Sequence, residues 1–170
     1  MISWQHKGVL EGFLGSRSVT WQLLYKATRD GFRARDFHRL CDSKGPTLTI
    51  IKSTNGYLFG GYTRQSWISR YSYVRDTHAF LFTLTNPYSI RPTKYSIING
   101  RQNTAFYGGS NYGPTFGGGH DIYVPDNSKY NNGYTNFGHT YRDTTGRRKN
   151  TFTGSYKFKT SEIEVYRIYM

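Results

Sequence analysis

The sequence predicts an α+β domain that is mainly antiparallel β, with short helices near its start. Two observations predict it. The 170 residues include 19 glycines and 16 tyrosines, a mix that suits short strands and tight turns better than long helices. Beyond Cys41, short β-branched and aromatic runs alternate with Asn-Gly and Asn-Pro turn signals, whereas helical spacing is confined to the residues before it. The length fits one domain and can bury a core without disulfide or metal staples. Hydrophobic residues make up 36% of the chain and aromatics 18%, so the core must be filled largely by Phe and Tyr rather than Leu.

Ser3 is a fitting N-cap for a helix over Trp4–Leu14, with Trp4, Leu10 and Leu14 near helical spacing; Gly8 and Gly12 weaken it. Trp21–Tyr25 reads as a buried strand. Arg35–Cys41 reads as a short helix in which Phe37, Leu40 and Cys41 share one face. Thr47–Lys52 and Tyr57–Tyr62, joined through Asn55-Gly56, form the expected hairpin. Ala79–Thr85 is the strongest single strand and closes at Asn86-Pro87. Lys94–Ile98 ends at Asn99-Gly100, and Asp121–Val124 and Glu162–Tyr169 are later strands. Residues 125–150, polar and rich in Asn, Thr and Gly, are expected to form a long loop. No internal repeat and no linker interrupts the chain.

Lys and Arg number 23 against 10 Asp and Glu, a formal charge of +13. That balance suits nucleic acid, an acidic membrane surface or an acidic protein partner alike. The basic residues are spread, 12 in residues 1–75 and 11 in 76–170, so no basic tail is present and a solvated surface is the simplest account. Cys41 is the single cysteine, which excludes an intramolecular disulfide. The opening residues lack an apolar run, and Ala79–Phe82 is too short to cross a bilayer. An intracellular, cytoplasmic location and no transmembrane segment are the expectation.

Four constellations could carry chemistry. Phe116-Gly-Gly-Gly-His-Asp121 combines backbone free to approach a ligand at Gly117, Gly118 and Gly119 with a possible acid–base pair, His120 and Asp121. It lacks the Lys-Ser/Thr of a phosphate loop, and a sharp turn into a strand is the simpler account. His120, His139, Asp121 and Asp126 do not have zinc or calcium spacing, so no metal and no cofactor is expected. Cys41 with His38 could make a nucleophile, or a redox thiol beside Arg35 and Arg39; a buried, slowly reacting cysteine is the commoner state. Glu162 and Glu164 could be paired carboxylates, but strand alternation alone places them together on an exposed face. No catalytic residue set is therefore assigned. Arg142, Arg147, Arg148 and Lys149 form the basic segment best placed, in an exposed loop, to supply electrostatic attraction. Nearby tyrosines could add stacking on single strands, although no nucleic-acid-binding motif is present. Nucleic-acid binding is expected to be non-specific and confined to low salt.

Several stretches, in their order, resemble the TLDc family. They are Leu23-Leu-Tyr-Lys-Ala-Thr-Arg-Asp-Gly-Phe32, Phe37-His-Arg-Leu-Cys-Asp42 and Lys44-Gly-Pro-Thr-Leu-Thr-Ile-Ile-Lys-Ser53. Gly56-Tyr-Leu-Phe-Gly-Gly-Tyr-Thr63 with Trp67, Ala79-Phe-Leu-Phe-Thr-Leu84, Pro114–Val124 and Ser161-Glu-Ile-Glu-Val-Tyr166 complete the set. The resemblance covers nearly the whole chain and implies a single domain over residues 1–170. It implies a sandwich of two antiparallel sheets flanked by short helices, in agreement with the pattern above. It also implies a protein-interaction role, with binding of the vacuolar proton-pumping ATPase and resistance to oxidative stress, and no agreed catalytic mechanism. The signature loop Gly117–Asp121, with Glu162, Glu164, Arg147, Arg148 and Lys149, is then the candidate interaction site. This subtype resembles units often attached to BTB, RING-type or interferon-induced GTPase-like modules, which implies excision from a longer protein. The rivals are a basic nucleic-acid or acidic-surface binder, and a redox or hydrolytic enzyme using Cys41 or the His120/Asp121 loop.

Overall fold

A computed structural model describes all 170 residues. Helices α1 (Trp4–Leu14), α2 (Ala27–Asp30) and α3 (Ala34–Cys41) all precede the long run of strands. The first sheet takes β1 (Thr20–Lys26), β2 (Thr47–Ser53), β3 (Leu58–Thr63), β5 (Phe80–Thr83), β6 (Thr93–Ser96) and β12 (Thr160–Tyr169), in the order β1-β12-β2-β3-β5-β6. The second takes β4 (Ser72–Val74), β7 (Phe106–Gly108), β8 (Tyr112–Phe116), β9 (Ile122–Pro125), β10 (Gly133–Tyr134) and β11 (Lys157–Phe158), in the order β11-β10-β9-β8-β7-β4. All strand pairs are antiparallel. This is the expected mainly-β sandwich with short flanking helices. The hairpin turns at Asn55-Gly56, with Lys52 paired to Leu58. No helix is long and apolar enough to cross a membrane.

The two sheets share a core of large aromatics. Ile51, Phe59, Leu81, Ile163 and Val165 of the first sheet meet Phe106, Phe116, Ile122, Val124 and Phe158 of the second. Trp67 lies at its centre, with ring centroids 5.1 Å from Phe37, 4.7 Å from Phe106 and 5.4 Å from Phe116. Its indole N–H donates to Thr47 Oγ1 at 3.0 Å, so the buried polar atom is satisfied. Gly61 lets the sheets approach there: a Cβ on it would lie 2.7 Å from the Phe116 ring.

The first sheet is buried on its other face as well. Leu10 of α1 packs with Leu48, Ile50, Leu58, Tyr62, Phe80 and Phe82 in a second core. Double burial explains why β2, β3 and β5 are buried at nearly every position, without alternation. Ser3 caps α1 as expected, accepting from the His6 N–H at 3.2 Å while His6 Nδ1 accepts from the Ser3 N–H. Trp4 does not share the buried face; it is 87% exposed. β1 is an edge strand rather than a buried one, with Tyr25 its one buried side chain.

Residues 125–150 are not simply a surface loop. They contain β10, and Phe137 and Tyr141 reach the shared core, where Phe137 packs 4.7 Å from Tyr95 and 4.8 Å from Phe152. Their polar neighbours are inside too: Ser128, Thr135 and Thr140 are fully buried. The polarity that suggests a loop belongs to side chains that bond backbone in place of a regular ladder.

Candidate functional site

The glycine-rich signature sits at the turn between β8 and β9. Gly117 and His120 have positive φ, 90° and 57°, so the chain reverses through left-handed backbone. That turn sends His120 and Asp121 in opposite directions. Asp121 is fully buried. Its carboxylate accepts from the backbone N–H groups of Gly138, His139, Thr140 and Tyr141 at 3.0–3.2 Å. Burial pushes its pKa up to about 6, against the opposing pull of these N–H donors. Asp121 thus organises the segment after β10.

His120 turns outward onto the free face of the second sheet. Strand register places Tyr73, Tyr107, Thr115, Tyr123, Tyr134 and Lys157 in one row across that sheet. The neighbouring row, Val74, Phe106, Phe116 and Ile122, points into the core. The His120 ring lies 5.8 Å from Tyr107 and 5.7 Å from Tyr123, the two residues flanking Thr115. Thr115, between them in the row, is fully buried. The His120 Nδ1 meets the Tyr134 hydroxyl at 3.0 Å and its Nε2 the Tyr73 hydroxyl at 3.4 Å. Burial among these rings lowers its pKa, so it is neutral at physiological pH. Tyr112 joins the cluster 4.9 Å from Tyr107, and Tyr156 extends it 5.5 Å from Tyr134. The first sheet has α1 over its outer face; the outer face of the second carries this layer of tyrosines, with Tyr73 at 39% and Tyr156 at 37% exposure.

The basic segment is divided by the structure. Arg147 stacks on Tyr88, its guanidinium carbon 3.8 Å from the ring centroid. Arg148 and Lys149 line a cleft that also contains Gly119, so part of the signature loop and part of the basic segment do come together. Lys149 Nζ lies 4.6 Å from the Tyr156 ring, joining the cleft to the tyrosine face.

Glu162 and Glu164 are not on an exposed face; they are 9% and 2% exposed. Helix α2 packs over this end of β12 and overrides the alternation. Glu162 accepts from the Thr28 N–H at 3.0 Å and from the Thr28 hydroxyl. Glu164 accepts from Lys26 Nζ at 3.3 Å and the Tyr166 hydroxyl at 2.8 Å. Both fasten the chain around α2 to β12, and neither is open to a partner or a substrate.

Cys41 is fully buried among core aromatics, and burial pushes its thiol far up. His38 does not serve it. The His38 Nδ1 lies 2.7 Å from Asp42 Oδ1, and its Nε2 lies 2.8 Å from the carbonyls of Gly109 and Tyr112. Acceptors at both nitrogens require both to carry hydrogen. Burial alone would lower this pKa; the bond to Asp42, the charge of Asp42 and the two carbonyls outweigh it and raise it. The i, i+4 spacing of His38, on α3, and Asp42, at its C-cap, was the signal that sequence reasoning missed. Asp126 is occupied in turn by the Ala34 N–H at 2.8 Å. No three His, Cys, Asp or Glu side chains are grouped so that they could hold a metal ion.

Comparison with known proteins agrees with this architecture. The family model described as TLDc domain matches residues 3–169. The MTOR-associated protein MEAK7 of Danio rerio is 37% identical over 70 residues, 39% of this chain and 15% of that protein. The protein of the same name from Xenopus laevis is 34% identical over 68 residues, 38% of this chain and 14% of its own. Interferon-induced protein 44 of Homo sapiens is 33% identical over 66 residues, 39% of this chain and 14% of its own. The match therefore spans about a seventh of the length of these curated relatives.

Proposed function

The chain belongs to the TLDc domain family, and from that premise we propose that it is a non-enzymatic module that docks on a protein through the tyrosine face of its second sheet. One observation carries this reading: a register row of Tyr73, Tyr107, Tyr123 and Tyr134 along one sheet face, each at least partly exposed. Tyrosine is the side chain interfaces favour, because it offers a large rigid apolar body with a polar tip. His120, held neutral, adds no charge to desolvate at the centre. The signature loop acts here by seating His120 in the tyrosine layer and fixing the adjoining segment through Asp121. Lys157 and Lys149 at the border suit an acidic rim on the partner.

The partner implied by the family resemblance is the vacuolar proton-pumping ATPase, with a role in oxidative-stress protection and a cytoplasmic location. Relatives named as MTOR-associated supply a second protein partner to test. The test is capture from cell lysate on the immobilised chain at low and physiological salt, probed for ATPase subunits and for MTOR. The ATPase should be retained at both salts by the wild type. The variant Tyr107→Ser with Tyr123→Ser should lose it by at least about tenfold, since truncated anchor tyrosines cost on the order of 2 kcal/mol. Capture indifferent to the tyrosines would sink this docking surface. Sequence-selective RNA or DNA binding that survives physiological salt would replace protein docking altogether.

A further inference from the structure

Beside the tyrosine face lies the largest cleft of the molecule, about 550 Å³, within the roughly 300–1,000 Å³ of pockets that hold small ligands. Arg101, Arg148, Lys149 and His139 line it together with Asn136 and Gly119, and no carboxylate does. The nearest acidic groups are already engaged. Asp121 accepts the N–H groups of residues 138–141, and Asp143 accepts those of Thr145, Gly146 and Arg148. None of the three lining cations belongs to a salt bridge. The chain nonetheless holds them around one space. Arg101 donates to the His139 carbonyl. Arg148 is fixed by Asp143 in left-handed backbone, φ 49°, a conformation uncommon for a residue with a side chain. Lys149 is held over Tyr156.

Three permanent positive charges converging on a cleft repel one another until an anion of matching valence enters. Arginine forks suit phosphate oxygens, and a single carboxylate would leave most of the charge unmatched. We propose that this cleft binds a polyphosphorylated group, through Arg101, Arg148 and Lys149. The site shares Lys149 with the border of the docking surface, but Arg101 and Arg148 lie outside that surface, so the two can be tested apart.

Titration calorimetry with sodium tripolyphosphate and with inositol hexakisphosphate tests the site at physiological ionic strength, where bulk attraction is screened beyond about 8 Å. The wild type should show saturable one-to-one binding. Arg101→Gln with Arg148→Gln should weaken it by at least about tenfold, a loss of ~1.4 kcal/mol. Arg17→Gln with Arg91→Gln removes the same charge from exposed positions outside the cleft and should leave it unchanged. Lys149→Gln, whose side chain holds no backbone group, should weaken it with an unaltered melting temperature. Tyr107→Ser with Tyr123→Ser should retain it, which separates this site from the docking face. Phosphatidylcholine vesicles with and without a phosphoinositide identify the source. Retention on the doped vesicles alone, competed by free inositol phosphate, assigns a lipid headgroup; soluble binding without retention assigns a free phosphate compound. Absence of saturable binding, or equal loss in the cleft and control variants, overturns the proposal.

Discussion

His38 and His120 are pulled in opposite directions by their surroundings, and stability should record it. His38 gains Asp42 and two carbonyls, so its folded pKa is raised. Its contribution is fully present below the unfolded value of about 6.5 and is lost as pH rises through the folded pKa. His120 is lowered by burial among tyrosines. Its neutral form contributes above about pH 6.5, and that contribution is lost as pH falls through the folded pKa. His38→Gln should therefore cost about 2 kcal/mol near pH 6 and less at higher pH, whereas His120→Gln should relieve part of the acid destabilisation. Melting temperatures of both variants between about pH 5 and pH 8 check the two opposite slopes; parallel slopes would refute the assignment. Asp121→Ala leaves the N–H groups of Gly138, Thr140 and Tyr141 without their acceptor, the last two in the interior, while that of His139 keeps the Asn136 carbonyl. The substitution should cost about 3 kcal/mol, read as a shift in urea midpoint. Cys41, buried at the end of α3, should label slowly with a thiol reagent in the native protein and quickly once unfolded.

At the scale of elements, the two outer faces of the sandwich differ in what covers them. Helix α1 reaches its sheet mainly through Leu10, the one fully buried residue of that helix. Leu10→Ala should cost about 2–5 kcal/mol and loosen α1 first, visible as faster amide exchange in α1 than in β12. The second sheet keeps its outer face free, and its cross-strand tyrosines pack on one another instead. Much of this was legible. The capping Ser3, the Asn55-Gly56 hairpin and the strands near 80, 94, 122 and 162 stand where the pattern puts them. The strands β4, β7, β10 and β11 were not. They are two or three residues long, too short for a period of two to emerge. They hold their place through neighbours supplied by the fold.

Across the whole molecule, the carboxylates serve the fold and leave the charge to the cations. Asp30, Asp36, Asp76, Asp121, Asp126, Asp143 and Glu162 all accept backbone N–H groups. Glu11, Asp42 and Glu164 accept side-chain donors. Only Lys26, Arg29 and Arg39, of 23 Lys and Arg residues, pair with a carboxylate. The charge of +13 is therefore largely unneutralised at the surface. A generic oligonucleotide should bind measurably in dilute buffer and negligibly near physiological ionic strength, because each neutralised phosphate releases a counterion. Replacing Arg147, Arg148 and Lys149 by glutamine should weaken the low-salt binding without unfolding the domain, as fluorescence anisotropy and circular dichroism would show. Tight binding that persisted at physiological salt would contradict this.

The sequence by itself determined the class of fold, the helices before the strands, the main hairpin and the excess of positive charge, because turn chemistry, hydrophobic period and composition are local quantities. It also placed Gly117–Asp121 at a sharp turn. Only the tertiary structure decided what that turn does. It decided that Asp121 points inward and His120 outward, that α2 buries Glu162 and Glu164, and that Arg148 parts from Arg147 to face Arg101 across a cleft. Whether an alternating polar residue is exposed depends on what packs above it, and whether two distant cations meet depends on where loops return. Both are set by contacts between segments far apart in the chain, which no local pattern of residues encodes.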